Sequence, residues 1–598
     1  MKADSALLEK WQAAWPKALA IWSRYTRLQP AMLCGRTQAA REAGLDGSFA
    51  MIRFADQRVV IDLQAVAELG LDDYALEILA HEIGHHVLAP ANATDNFRLL
   101  ARMRQALPTL TCHAPMLANL YTDLLINDRL QRQSGLRMAD IYPKITGRAD
   151  DQAPAQAGAW DLTMRIYERL WQLEKGSLCA ARPDERFEAD AWLGARLIRV
   201  YARDWLDGAG RFAALMLSYI VADDERRARR LCWLHDMASA GCGCNPYGII
   251  EIEPGEIGGA IHPAEDPLIT GEDGEAEEDS EGKDDNEFDM AGARHGERAG
   301  GQAREPFEYG EILRASGIEM SEHDIAIRYY HERALPYLIP YPRQLSPSGA
   351  EPLPEGLEPW DCGDPLDTVD WLQSVLQSPR VIPGMTTVKR LYGEQPGEAA
   401  SMTPIDLDIY VDSSGSMPDP RREVSWLALA GAIIALSALR VGAKVQVTLW
   451  SGKRQVRRTP GFIADPREIL AVLTDYFGGA TAFPIHCLRE TYAAEPGRKR
   501  ATHILMISDD GIDTMFAQDE KRHSGWNIAA HALARAGAGG TLALNLPPAY
   551  SSKIIDRAVH TQGWALHRIT DWEQLMAFAC DFSYRHRGGL AAPGRQDG

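Results

Sequence analysis

The chain has 598 residues, 45% hydrophobic and 24% charged, which exceeds a single hydrophobic core and predicts roughly two to four folded units. Its net charge of −20 is concentrated, since residues 251–300 hold 17 Asp/Glu against 3 Lys/Arg and so contribute −14. No basic excess points to nucleic acid, the longest apolar run (Trp426–Leu439) stops too early to span a membrane, and nine scattered cysteines form no disulfide framework.

The first segment, "MKADSALLEKWQAAW", reads as a charged amphipathic helix without the apolar centre of a signal peptide. Together with reduced thiols, this gives the expectation of a cytoplasmic protein. Residues 1–245 are mostly helical in periodicity. The exception is "SFAMIRFADQRVVIDL" (Ser48–Leu63), where alternation and β-branched residues predict a strand pair.

The stretch "EILAHEIGHHVLAP" (Glu77–Pro90) reads as a helix, with Asp72 and Asp73 before its start and Pro90 at its end. Leu76, Leu79, Ile83 and Val87 form its core stripe, which leaves His81 and His85 one turn apart and able to reach one ion. Glu82 lies one residue round, suited to hold a water rather than the ion, and Gly84 is read as leaving room beside the metal. His86, on the side of Glu82, is read as a supporting residue. The structural alternative is a core helix with three surface histidines, which the spacing within this helical context outweighs.

A catalytic zinc needs a third protein ligand and an open position. In "NLYTDLLINDRL" (Asn119–Leu130), Asn119, Asp123 and Asn127 share one face while Leu120, Leu124 and Leu130 look inward. Asp123 is the first choice of ligand, with Asn119 and Asp128 supporting it; Asp128 and His113 stay open as alternative ligands, and Asp123 as a purely structural residue. The cluster Cys232, His235, Cys242 and Cys244 lacks the two-residue gap of structural zinc sites and is read as buried thiols.

From 251 to 305, Gly, Glu and Asp dominate, and this segment is expected to be a disordered acidic linker tethering two halves. Its carboxylates lack the ordered spacing of a calcium loop. Residues 306–400, helical and then Pro-rich, are expected to connect to the last domain and pack on it.

From Asp406 onward, "DLDIYVD", "AKVQVTLW", "THILMIS" and "GTLALNL" alternate with helical segments. This pattern predicts a mostly parallel sheet, α/β and Rossmann-like, covered by helices, with Trp426–Leu439 as a buried crossover. "DIYVDSSGSM" places Asp412, Ser414 and Ser416 at a strand's carboxyl end, where α/β sheets bind ligands. A carboxylate with two hydroxyls suits Mg²⁺ before Ca²⁺. "FGGATAFP" offers Thr481 and "HILMISDDGID" offers Asp509, with Asp510 as an open alternative.

With "HEIGHH" and "NLYTD" in place, residues 1–245 resemble the compact helical zincin metallopeptidases of bacteria. The resemblance implies peptide hydrolysis by a water that zinc activates, with Glu82 as the proton carrier and the preceding strand as the edge along which substrate lies. Residues 401–585 resemble a von Willebrand factor A domain, which implies a Mg²⁺ adhesion site at Asp412, Ser414, Ser416, Thr481 and Asp509 whose open position a partner's carboxylate fills. Asp510 where that family has Gly, and Ala480 before the Thr, depart from its pattern. The combination is similar to bacterial proteins that work with MoxR-type AAA+ ATPases, which implies such a partner beside a protein or peptide substrate. The chain contains no G-x-x-x-x-G-K-[ST] and so no nucleotide site of that type. The competing expectation is a non-catalytic adaptor with a structural or vestigial zinc site; a magnesium-dependent phosphatase using Asp412 would need further carboxylates.

Overall fold

A computed structural model describes residues 5–23, 26–45, 48–146, 158–179, 184–222, 248–271, 302–346, 350–396, 401–493, 500–547 and 549–585. The chain divides into two units, Met1–Ile325 and Ala326–Gly598.

In the first unit, strands β1 (Met32–Cys34), β2 (Ala50–Arg53) and β3 (Arg58–Asp62) form a sheet in the order β1-β3-β2. β2 and β3 are the pair expected from alternation, and they run antiparallel. β1 joins β3 in parallel; three residues are too few to show a period in sequence. Asp62 ends β3 and caps the next helix by accepting from the N–H groups of Gln64 and Ala65.

Helices build the rest. Ala75–Val87, the histidine helix, packs against Ser5–Trp22 and against Ala114–Gln133, the aspartate helix. Every residue from Met116 to Asp128 is buried. Its polar face is therefore turned into the protein, where each polar group needs a partner.

The acidic stretch differs from the expected linker. Pro254–Gly258 and Pro267–Thr270 are helical, and Arg211 pairs with Asp266. The N–H of Ile252 donates to the Gln302 carbonyl (2.9 Å) and that of Arg304 to Ile250 (2.7 Å). Arg304, itself buried, forms a two-pronged ion pair with buried Glu256. Both ends of this stretch thus pack within the first unit, and residues 272–301 lie outside the described residues. The boundary between units instead falls inside the helix Glu322–Ala334. Pro306–Ala315, expected to pack on the last domain, packs on Ala93–Gln105 of the first unit.

The second unit begins with two small antiparallel pairs. They are β4 (Arg343–Ser346) with β7 (Ser401–Pro404), and β5 (Ala350–Pro359) with β6 (Val388–Pro396). The main sheet follows, with β8 (Asp406–Asp412), β9 (Val445–Trp450), β10 (Val456–Arg458), β11 (Thr502–Ser508), β12 (Gly537–Leu544) and β13 (Ala565–Arg568). Its order is β10-β9-β8-β11-β12-β13, parallel except for β10 at one edge. β8, β9 and β11 are buried along their whole length, and their apolar residues are interrupted by buried polar ones such as Asp408 and Gln446, which hydrogen-bond to each other at 3.0 Å. Trp426–Arg440 is the expected crossover, buried from Leu427 to Ala438. Among the described residues no helix is long and apolar enough to cross a membrane.

Candidate functional site

The histidine and aspartate helices bring His81, His85 and Asp123 together, with their ligand atoms all within 4.8 Å of one another. Asp123 Oδ1 lies 3.5 Å from Nε2 of His81 and 3.5 Å from Nε2 of His85. A tetrahedral ion with bonds of about 2.0–2.2 Å places its ligand atoms about 3.3–3.6 Å apart. The two measured separations fit that geometry. Asp123 Oδ1 is also a buried acceptor with no hydrogen-bond partner, a costly state that a cation would relieve.

Each histidine is oriented from behind. His85 Nδ1 meets the Ala89 carbonyl at 3.0 Å; a carbonyl only accepts, so the ring proton sits on Nδ1 and Nε2 presents a lone pair to the site. His81 Nδ1 donates to Asn127 Oδ1 at 2.7 Å, while Asn127 Nδ2 donates to the hydroxyls of Tyr142 (2.7 Å) and Tyr167 (3.1 Å). Asn119 Nδ2 donates to the other oxygen of Asp123 at 3.3 Å. Burial holds the His81 ring below its ordinary pKa and so in the neutral form that binds metals. Burial also lifts Asp123 to about 6, against the pull of His81.

Glu82, 2% exposed, lines the same cleft as His81 and Asp123. The cleft encloses about 490 Å³ of empty space, open solvent included. Its further walls come from Ser48 to Ala50 and from Met138 to Ile145.

Several expectations are corrected. Asp128 neither ligates nor supports Asp123, because Arg132 grips it on the far side through three hydrogen bonds. His113 lies in the turn Thr111–His113 and is not among the converging groups. His86 turns away to Gln57, at the β2–β3 turn, with Nδ1 2.7 Å from Oε1. Gly84 makes room for neighbouring helices rather than for a metal, since a Cβ there would sit 2.5 Å from Ile126 and 2.7 Å from Trp22. Cys232, His235, Cys242 and Cys244 lie outside the described residues. Asn127 was visible in sequence as one of three polar residues on a face; nothing there announced its tyrosine partners, which come from other segments.

In the second unit, Asp412 and Asp509 stand at or just past the carboxyl ends of neighbouring strands β8 and β11. Asp412 accepts from the Ser414 N–H (2.9 Å) and the Ser508 hydroxyl (2.6 Å). The hydroxyls of Ser414 and Ser416 are 3.2 Å apart, and Ser416 donates to Asp509. A Cβ at Gly511 would touch Thr481, Asp509 and Asp412 at 2.3, 3.0 and 3.2 Å, so all three surround one small volume. Gly415 N–H donates to Gly479 and Gly478 N–H to Ser413, which pins the Gly-rich loop to the serine loop. Burial raises Asp412 to about 6, with Asp509 adding in the same direction. Asp510 is exposed and opens the 3-10 turn Asp510–Phe516, so Asp509 is the carboxylate facing this cluster.

No protein-family model, no curated protein and no solved structure matches the chain.

Proposed function

We propose that the first unit is a zinc-dependent peptidase and that the second is a Mg²⁺-dependent docking domain for a protein partner. The observation that carries the first part is the equal 3.5 Å approach of two histidine Nε2 atoms to one unpartnered carboxylate oxygen, beside a buried glutamate on an open cleft. A zinc ion at His81, His85 and Asp123 would supply Lewis acidity for the substrate carbonyl and for the attacking water. Glu82 accepts the proton as that water adds to the carbonyl carbon, and it returns the proton to the nitrogen as the C–N bond breaks. Asn127 and the Ala89 carbonyl hold the histidine tautomers, and Asn119 holds the carboxylate. The general base distinguishes this reading from an adaptor, because a structural zinc site has no use for Glu82.

The test uses the full chain. His81→Ala with His85→Ala is expected to abolish bound zinc by metal analysis, whereas Glu82→Gln keeps the zinc and loses hydrolysis of a peptide mixture by a factor of about 100 or more. Unchanged zinc in the histidine variant, or hydrolysis surviving in Glu82→Gln, overturns the assignment.

For the second unit, two carboxylates and the hydroxyls of Ser414 and Ser416, with Thr481 adjoining the same small volume through its methyl group, support a hard cation at Asp412, Ser414, Ser416, Thr481 and Asp509. The partner we propose is a MoxR-type AAA+ ATPase presenting a carboxylate. Asp412→Ala is expected to leave the protein folded, with a cooperative melting curve, and to abolish Mg²⁺-dependent capture of such an ATPase. Capture that ignores both the substitution and Mg²⁺ rules this contact out.

A further inference from the structure

We propose that the cleft beside Glu82 selects an aliphatic or aromatic substrate side chain next to the scissile bond and rejects charged ones. This rests on the peptidase reading and adds the substrate class to it. Ile78 stands one helical turn before Glu82, so an apolar wall adjoins the base directly. Ile141 and Ile145 repeat the same spacing on the helix Ile141–Thr146, and Phe49 and Met138 complete the wall. Among the described residues no lysine or arginine lines the cleft, and apart from Tyr142 its ionisable side chains are His81, Glu82 and Asp123 themselves. The polar tip of Tyr142, the remaining aromatic wall, already accepts a hydrogen bond from Asn127.

A charged side chain entering this space would lose water and, among the described residues, meet no counter-charge outside the reaction centre. An apolar one would displace water from surfaces that already shun it. Tyr142 gives the pocket a further consequence. It belongs to the same short helix as Ile141 and Ile145, and through Asn127 it reaches the nitrogen that orients His81. A side chain seated against this helix therefore bears on the segment that positions the ligand.

The test measures binding and turnover separately, on the full-length zinc-loaded protein. The probes are capped peptides acetyl-Ala-Ala-X-Ala-Ala-amide with X as Leu, Phe, Asp or Lys. Binding is read calorimetrically on Glu82→Gln, which does not turn them over. Leu and Phe are expected to bind about tenfold or more tighter than Asp and Lys. Ile145→Asp, at the half-buried rim, should erase that preference and favour Lys; Ile145→Ser should weaken Leu binding, with melting curves checking that both variants fold. Equal binding of Leu and Asp, or binding of none, overturns the pocket. Hydrolysis by the wild-type chain separates the two ideas. Leu-selective binding without hydrolysis would refute the peptidase and keep the pocket, and hydrolysis indifferent to X would do the reverse.

Discussion

Asn127 shows how much of a proposed site can rest on a residue that is not itself one of the three converging groups His81, His85 and Asp123. Its carbonyl oxygen takes the His81 Nδ1 proton, and its amide spends both remaining directions on tyrosine hydroxyls. The His81 ring is therefore fixed in tautomer and in rotation before any ligand arrives. Asn127→Ala is expected to weaken zinc binding by about 10–100-fold, read by competition with a chromogenic chelator. Asn127→Asp is a sharper probe: it keeps an acceptor for His81 but puts a second carboxylate among buried groups, so it should bind zinc better than the alanine variant. Equal affinities would mean that Asn127 fills space and nothing more.

At the scale of elements, helix pairs are tied by charge as well as by packing. Glu188, on the helix Glu185–Val200, accepts from Arg165 and Arg169 of the helix Ala159–Leu170 and pairs with Lys175 beyond its end. Burial alone would raise this carboxyl; the hydrogen bonds from Arg165, Lys175 and Arg169 outweigh it and bring it down to about 2. An unfolded glutamate titrates near about 4.3. The folded state thus gains stability that is complete above that value and is lost as pH falls towards about 2. Glu188→Gln should lower the melting temperature at neutral pH and flatten its acid-side decline between those two values. A decline as steep as that of the wild type would show that the three cations stabilise nothing through Glu188.

For the whole molecule, the acidic stretch changes meaning once its ends are seen. Residues 250–252 pair with residues 302–304, and the Arg304–Glu256 ion pair closes this junction with both side chains almost fully buried. The acidic stretch therefore begins and ends in one unit and does not join two. Removing one member of a buried pair strands the other charge, at a cost of about 3–5 kcal/mol. Arg304→Ala should therefore destabilise the first unit by that amount in thermal or denaturant unfolding. Arg304→Ala combined with Glu256→Ala should cost less than the two single changes added together. Strict additivity would show that the two side chains do not act as a pair.

Local pattern alone determined the elements that carry the chemistry. His81, Glu82 and His85 lie on a helix because their neighbours repeat at helical spacing, and Asp412 ends a strand because the Ile409, Tyr410 and Val411 before it are β-branched and aromatic residues suited to a buried strand. Asp123 was selected from the polar face of its helix, although Asp128 could not be set aside there. That choice belonged to tertiary structure, since a rotation of five residues round the helix turns one carboxylate to the histidines and the other to Arg132. The same holds for Gly84, whose missing side chain serves a helix contact, and for Asp509 over Asp510, which differ only in which way the chain turns after β11. Periodicity reports which face of an element is apolar. It carries no record of which distant segment will pack there, and so the tyrosines behind Asn127, the apolar wall beside Glu82 and the pairing of residues 250–252 with 302–304 were all decided by the fold.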